Sequence, residues 1–494
     1  MKKHFVLMLL SFGFLFSCSK LDETVYSSIA QTNFYKTASD AEAGLTSVYS
    51  SFADMYSGPS MVLVPDFSAD QVYPRPVVGR NTLTMFNYDA NYTTQRSFNR
   101  TLESPLDIWQ HTYTGIERAN WVISKVPGVA MNASRRDQIV GEALFLRALF
   151  YFTLARNFGD VPVKTTPTLN ETDAFTAKSA RADVYRQIYE DLDKAAGFLP
   201  AYSASIPKGR PSKEAAMALH AKAALYDEKW DVALQKAQQV ISSGRYSLIP
   251  EVKDLYDVAR EAAARQEVLF AFEAESTAGG RNGQIMSLYG PRNSDGPQYG
   301  KTTFGSIFAY QKFFNSFNPL DKRRQLLDTN YVNGQGRVVP QRDITPITTE
   351  GVLVKKYMDP NSNGANGANN VPVLRLADVY LVAAEAEARL NGPSGSAYNN
   401  INIVRRRAGL GDLTPGLSRD AFVDSVLQER SWEFFGEGDR WYDLTRTGKF
   451  LAVIPTAINS VFPVRTPLAK HRFFPLPQDE VNANPKLEQN PDWR

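Results

Sequence analysis

One cysteine, Cys18, stands in the 494 residues, and there are four histidines. With a single thiol the chain cannot close an internal disulfide or build a cysteine metal cage. If Cys18 is modified, thiol catalysis and redox chemistry are excluded as well. His4 falls in the extreme N-terminus, which leaves His111, His220 and His471, no two of them at metal-ligand spacing. The Gly-x-Ser-x-Gly elbow of α/β-hydrolases is missing. Charge of one sign is lacking too: 55 Lys and Arg against 52 Asp and Glu give a formal charge of +3, with no basic run and no acidic tail. Nucleic-acid binding, which needs a concentrated basic surface, is therefore disfavoured. Beyond the N-terminus no segment has 18 consecutive apolar residues, so no later stretch reads as a membrane-spanning helix.

The N-terminus reads as a processing signal. Lys2 and Lys3 precede an apolar run of 12 residues at 5–16, too short for a bilayer, which takes about 20, but suited to a signal-peptide core. The run ends in Leu15-Phe16-Ser17-Cys18, which resembles a bacterial lipobox, with Phe16 bulkier than usual for its position. The expectation is cleavage after residue 17, lipidation of Cys18 and a short tether over 18–30; secretion with a coincidental cysteine is the alternative. Removal of Lys2 and Lys3 with the signal lowers the formal charge to +1.

Helical periodicity dominates the rest of the chain. Segments at about 40–52, 106–126, 135–157 and 182–198 carry it, with Ser39 as a candidate N-cap of the first and Pro127, Pro162 and Pro200 as stops after the others. Residues 212–226 and 230–241 form a helical pair closed by Gly244, and the recurring Ala216, Ala223, Ala224, Ala233 and Ala237 let the two approach closely. This resembles one tetratricopeptide-type hairpin. A second pair lies at 374–409: Leu374, Ala377, Leu381, Ala384 and Ala388 form one stripe, and Tyr398, Ile401, Val404 and Ala408 another.

Two regions interrupt this pattern. Residues 57–105 hold prolines at 59, 65, 74, 76 and 105 among aromatics, and residues 276–305 hold seven glycines. Short apolar runs at 268–272 and 352–354 read as isolated strands, and 359–370 as an Asn/Gly loop. Long irregular segments in a compact domain are uncommon and often functional. The chain accordingly divides into an N-terminal part, 31–245, with the insertion 57–105, and a C-terminal part, 246–494, with an insertion over 276–370 and the last hairpin at 374–409.

A series of blocks then resembles a known family. They are Asn33-Phe34-Tyr35 with Asp40 to Ala43 and Tyr49; Trp109 with Tyr113 to Asn120; Glu142 to Ala148 with Tyr151-Phe152; and Phe158-Gly159-Asp160-Val161-Pro162. Later in the chain stand Leu376 to Tyr380, Ala384-Glu385-Ala386, Ile401 to Arg405, Gln428-Glu429-Arg430, Gly438 to Leu444 and Pro475 to Gln478, with Asn490-Pro491 last. In this order, from about residue 30 to the C-terminus, they resemble the SusD/RagB family of starch-utilisation-type nutrient-binding lipoproteins. The resemblance implies a mainly α fold: four tetratricopeptide-like hairpins as scaffold, with a loop-rich, irregular ligand-binding lobe and a few short strands. It also implies a lipid-anchored protein on the outer face of an outer membrane. Its partners would be a SusC-like TonB-dependent transporter and a glycan or, in some relatives, a peptide. No cofactor and no metal are implied.

Most blocks have a structural reading. Arg147, set among apolar residues in a helix, calls for a buried carboxylate or helix carbonyls, and Glu385 for a buried Arg, since an unpaired buried charge is costly. His220, inside the Ala-rich hairpin, reads as a packing residue. The run from Gly436 to Trp441 lacks phosphate-loop spacing and reads as a turn between helices. Extended glycans are bound by aromatic faces and planar polar groups. On composition and location, the irregular regions offer Asp70, Tyr73, Arg80 and Tyr88, then Tyr289, Arg292 and Tyr299, with Asp66, Tyr92, Asn293 and Tyr310 nearby. No motif singles out one of these, and loop packing explains a tyrosine here as well as ligand contact does. Asp66 with Asp70, or Glu273 with Glu275, are formal glycosidase pairs, yet 52 acidic residues make such pairs expected by chance. The expectation is a binding protein and not an enzyme. A helical-repeat scaffold for protein partners is the remaining alternative.

Overall fold

The computed structural model describes residues 34–76, 80–91, 104–277, 281–292, 294, 298–344 and 350–494. The signal sequence, Cys18, the tether, Tyr92 and Asn293 lie outside these residues.

Helix α1 spans Ala38–Ser57, α2 Ser60–Ser68, α3 Pro105–Lys125, α4 Ala133–Phe158, α5 Arg181–Phe198, α6 Lys213–Tyr226 and α7 Trp230–Ser242. Later come α8, Leu376–Asn391, α9, Gly395–Arg407, α10, Arg419–Glu433, and α11, Arg440–Arg446. Among the described residues four pairs pack as hairpins, α1 with α3, α4 with α5, α6 with α7 and α8 with α9, and each pair packs on the next.

Local chemistry explains the boundaries. The first helix is capped two residues before the expected Ser39: Thr37 is the N-cap, and a capping box links it to Asp40. Ser104, Asn132, Ser212, Ser394 and Ser418 cap other helices with their side-chain oxygens. At 26 residues, α4 is long and apolar enough to cross a membrane, but it is buried between α3 and α5. A helix apolar all round belongs in a core. Close approach of α3 to α4 requires Gly115, where a Cβ would come within 2.3 Å of the Phe150 ring and a larger residue would clash.

Two expectations need correction. Part of 57–105 is helical: α2 tolerates Pro65 within it, and Arg80–Met85 is a short helix. Leu374 continues the stripe of α8 by spacing but lies in a strand. Strand β2, Val268–Phe272, pairs antiparallel with Val371–Arg375, and the helix begins only after it. The run at 352–354 is likewise paired, through Leu353–Val354 and Leu327–Asp328.

Buried arginines found the carboxylates their burial demands. Arg147 makes a two-pronged contact with Asp191 at 2.8 and 2.6 Å, and Glu385 receives Arg446 at 2.7 Å on both oxygens. Tyr189 stacks on His220 at 4.8 Å, and burial depresses the His220 imidazole to about 4, as befits a packing residue. Residues 436–439 form the turn from α10 into α11.

Candidate functional site

The two irregular regions, far apart in sequence, meet in one lobe. Strand β1, Val72–Pro74, pairs antiparallel with Ile307–Ala309, so that Tyr73 faces Phe308. The ladder continues at its end, where the Arg75 N–H donates to the Ser306 carbonyl at 2.8 Å. On the other side of the 304–306 segment, the Phe304, Gly305 and Ser306 amides donate to the carbonyls of Ser287, Gly290 and Leu288 at 2.8, 2.8 and 2.9 Å. A hydrogen-bonded ribbon thus sets Arg75, Phe304 and the Gly290–Arg292 stretch side by side.

The tyrosines expected at the surface are core. Tyr73 is fully buried, with Tyr310 4.8 Å away and Phe308 and Phe462 around it. Tyr88 stacks on Trp493 at 5.5 Å and touches His471 and Phe474. Tyr289 is buried, donates to Asp66 at 3.1 Å and packs on Tyr357. Tyr299 is buried edge-on to Tyr331. With ring faces covered by protein, none of the four is a stacking platform here. An irregular lobe has no amphipathic helices to supply its core, so its aromatics do so, and composition alone does not separate an exposed aromatic from a buried one.

Two further candidates are also structural. Asp70 holds Arg440 of α11 at 2.8 and 3.0 Å. Burial would raise the Asp70 carboxyl, but the Arg440 guanidinium outweighs it and holds the group below the usual carboxylate range. Arg80 is buried at the start of its short helix. Of the seven, Arg292 lies open to solvent.

The surface of the ribbon also carries residues that no sequence motif marks. Phe304 is 41% exposed, a large apolar ring in contact with water. Arg75 is half-buried beside it along the ribbon. Burial, then the positive charges of Arg80 and Arg292, push the Arg75 guanidinium below its ordinary value. An exposed apolar ring and guanidinium donors carried on one ribbon can together hold a ligand with one apolar face and a rim of hydroxyl acceptors. The one signal for Phe304 in the sequence is a lone aromatic between Thr303 and Gly305.

The molecule is therefore of the class of helical-hairpin scaffolds that carry a loop-rich, irregular lobe. Residues 328–493 match the sequence profile of the SusD family, and residues 21–225 match a second profile described as starch-binding, associating with the outer membrane. Among curated proteins it is 28% identical to a SusD-like protein, P25, of Formosa agariphila, over 96% of this chain and 95% of that one. It is 24% identical to the starch-binding protein SusD of Bacteroides thetaiotaomicron, over 78% of each. Among solved structures, a laminarin-binding SusD-like protein superposes with a TM-score of 0.77 at 25% identity, over 92% of this chain and all of the other. A SusD homologue from Bacteroides thetaiotaomicron gives a TM-score of 0.80 at 23% identity, over 94% of this chain and 98% of that one. The chain belongs to the SusD/RagB family.

Proposed function

We propose that this chain is a surface lipoprotein, anchored through Cys18, that captures a nutrient glycan and delivers it to a TonB-dependent outer-membrane transporter of the SusC type. The observation that carries the glycan reading is the match over the whole fold to a laminarin-binding relative. A surface glycan-binding protein in complex with laminarihexaose has the same fold, with a TM-score of 0.74. The outer-membrane setting draws on the description of the family profile, and the anchor on the lipobox-like residues ahead of Cys18.

The chemistry of the ribbon agrees with capture and not with turnover. Phe304 offers a ring for a pyranose face, and Arg75 and Arg292 offer hydrogen-bond donors to its hydroxyls. The formal glycosidase pair Asp66 and Asp70 has other duties: Asp66 accepts from Tyr289, and Asp70 is bound to Arg440. The exposed faces of α7 and α9 would then be free to face the transporter.

A calorimetric screen of the soluble chain from Ser19 onward, against neutral and acidic oligosaccharides and against peptides, tests the ligand. Saturable binding of one glycan class is expected; binding of peptides alone would replace the glycan with a peptide nutrient. Co-purification with the transporter from mildly solubilised outer membrane tests the partner, and its failure there would remove the delivery step.

A further inference from the structure

A cleft of about 670 Å³ lies between α3, the 162–176 segment that succeeds α4, and the helix Gln478–Ala483. It shares no element with the β1 ribbon. Its volume lies within the range of about 300–1,000 Å³ common for small-molecule sites.

The walls are built and held. Tyr113 is half-buried, and its hydroxyl donates to the Pro162 carbonyl at 2.8 Å. Trp109 backs it at a ring distance of 4.7 Å. Half-buried Phe175 stands in the lining contributed by the 162–176 segment. Two of the charged groups in the wall, Glu117 and Lys164, are hydrogen-bonded to Thr168, and Glu480 adds a half-buried carboxylate. Glu117 accepts from the Thr168 amide and hydroxyl at 2.9 and 3.0 Å and from Trp121 Nε1 at 2.9 Å. Lys164 Nζ donates to the Thr168 hydroxyl at 2.6 Å. The lining also includes Gln110, Thr114 and Asn484, with the Thr114 hydroxyl donating to the Gln110 carbonyl at 2.8 Å and the Asn484 amide donating to the Thr176 carbonyl at 2.9 Å.

Rings fixed in place, Glu117 and Lys164 both held on Thr168, and polar groups at the rim suit a ligand with alternating C–H faces and hydroxyls. We propose that this cleft is a second saccharide-binding site, taking a short stretch of a glycan. The proposal rests on the glycan-capture reading and deepens it. Two sites on one chain, each of modest affinity, hold a long polymer far more tightly than either alone, because the second contact is intramolecular. Release of one end, for passage onward, then leaves the other end held.

The experiment uses the soluble chain and a variant, Ala483→Trp, that fills the cleft from an exposed lining position without removing any wall contact. The probes are laminari-, malto-, xylo- and manno-hexaose, with the matching polymer for whichever binds. Calorimetry is expected to find two hexasaccharides per wild-type chain and one per variant, with polymer affinity at least tenfold weaker in the variant. Phe175→Ala, checked for an unchanged unfolding midpoint, is expected to weaken the same one site. One hexasaccharide per wild-type chain, unaffected by either substitution, would overturn the second site and leave glycan capture standing. A wild-type chain that binds none of the probes, nor their polymers, would overturn both.

Discussion

Arg375 donates to Glu433 at 2.8 Å with the two side chains 1% and 0% exposed, and this pair joins the strand ahead of α8 to the last turn of α10. Glu433 also receives Arg407 at 2.6 Å and Arg323 at 3.1 Å, and Arg375 reaches Glu267 and Glu437 as well. The network ties the last helical hairpin to the lobe. Each of its charged groups has at least one partner of opposite charge, which is the condition under which buried charges are tolerated.

Removing one centre of that network is expected to be severe. Glu433→Ala leaves three guanidinium groups short of a buried partner and should destabilise the chain by about 3–5 kcal/mol. Urea unfolding followed by circular dichroism measures it, and a midpoint unchanged from wild type would show the network to be dispensable.

Acid should weaken the same region. Burial raises the Glu385 carboxyl, but Arg446 and Arg389 outweigh it and pull the group down to about 2. Arg407, Arg375 and Arg323 likewise hold Glu433 well below its usual value of 4.5 against the effect of burial. A carboxyl depressed in the folded state stabilises above its unfolded value, and that contribution is lost as pH falls through the folded value. Stability should therefore drop between about pH 4.5 and pH 2, and Glu385→Gln should flatten that limb while lowering stability at pH 7. Thermal unfolding across this range gives the slope.

Asp66 should behave in the opposite sense. Burial pushes its carboxyl up to about 7, with the Tyr289 hydrogen bond as a partial offset. A raised carboxyl contributes fully below its unfolded value, and the contribution is lost as pH rises through the folded one. Asp66→Asn keeps an acceptor for Tyr289 and has no charge to bury. Its melting temperature relative to wild type should be higher at pH 8 than at pH 5; the same difference at both would show Asp66 to be ionised throughout.

Gly438 should resist substitution. Its φ is +81°, and a Cβ there would come 2.6 Å from the Met61 carbonyl oxygen in α2. Gly438→Ala combines left-handed strain, on the order of 1–3 kcal/mol, with a clash against backbone. A fall of several degrees in melting temperature is expected, with no change in helical content at low temperature.

The helical half of the molecule was legible because its signal is local. Apolar residues at spacings of three and four mark α4, α6 and α8, while the caps were less legible, since Thr37 and not Ser39 starts the first helix. Arg147 and Glu385 could be assigned buried partners because charge in an apolar helix admits little else, although neither Asp191 nor Arg446 could be named from spacing. The lobe was less legible. Its location in two irregular regions was readable, but Tyr73, Tyr88, Tyr289 and Tyr299 turn inward because contacts from distant segments decide which ring is covered. Phe304 was missed for the same reason in reverse: exposure is set by the 287–290 and 304–306 pairing, which leaves no periodic trace. Leu374 shows how a strand that runs straight into a helix can keep the helix's spacing by accident.

The central claim is that the Phe304, Arg75 and Arg292 surface captures a glycan. Its most direct test is calorimetric titration of the soluble chain and of the double variant Phe304→Ala, Arg292→Ala with the oligosaccharide that the wild type binds, at matched unfolding midpoints. Loss of a stacked ring and a guanidinium donor should weaken binding at that site at least tenfold, about 1.4 kcal/mol or more. Affinity and stoichiometry identical to wild type would contradict the account and move the ligand elsewhere on the protein.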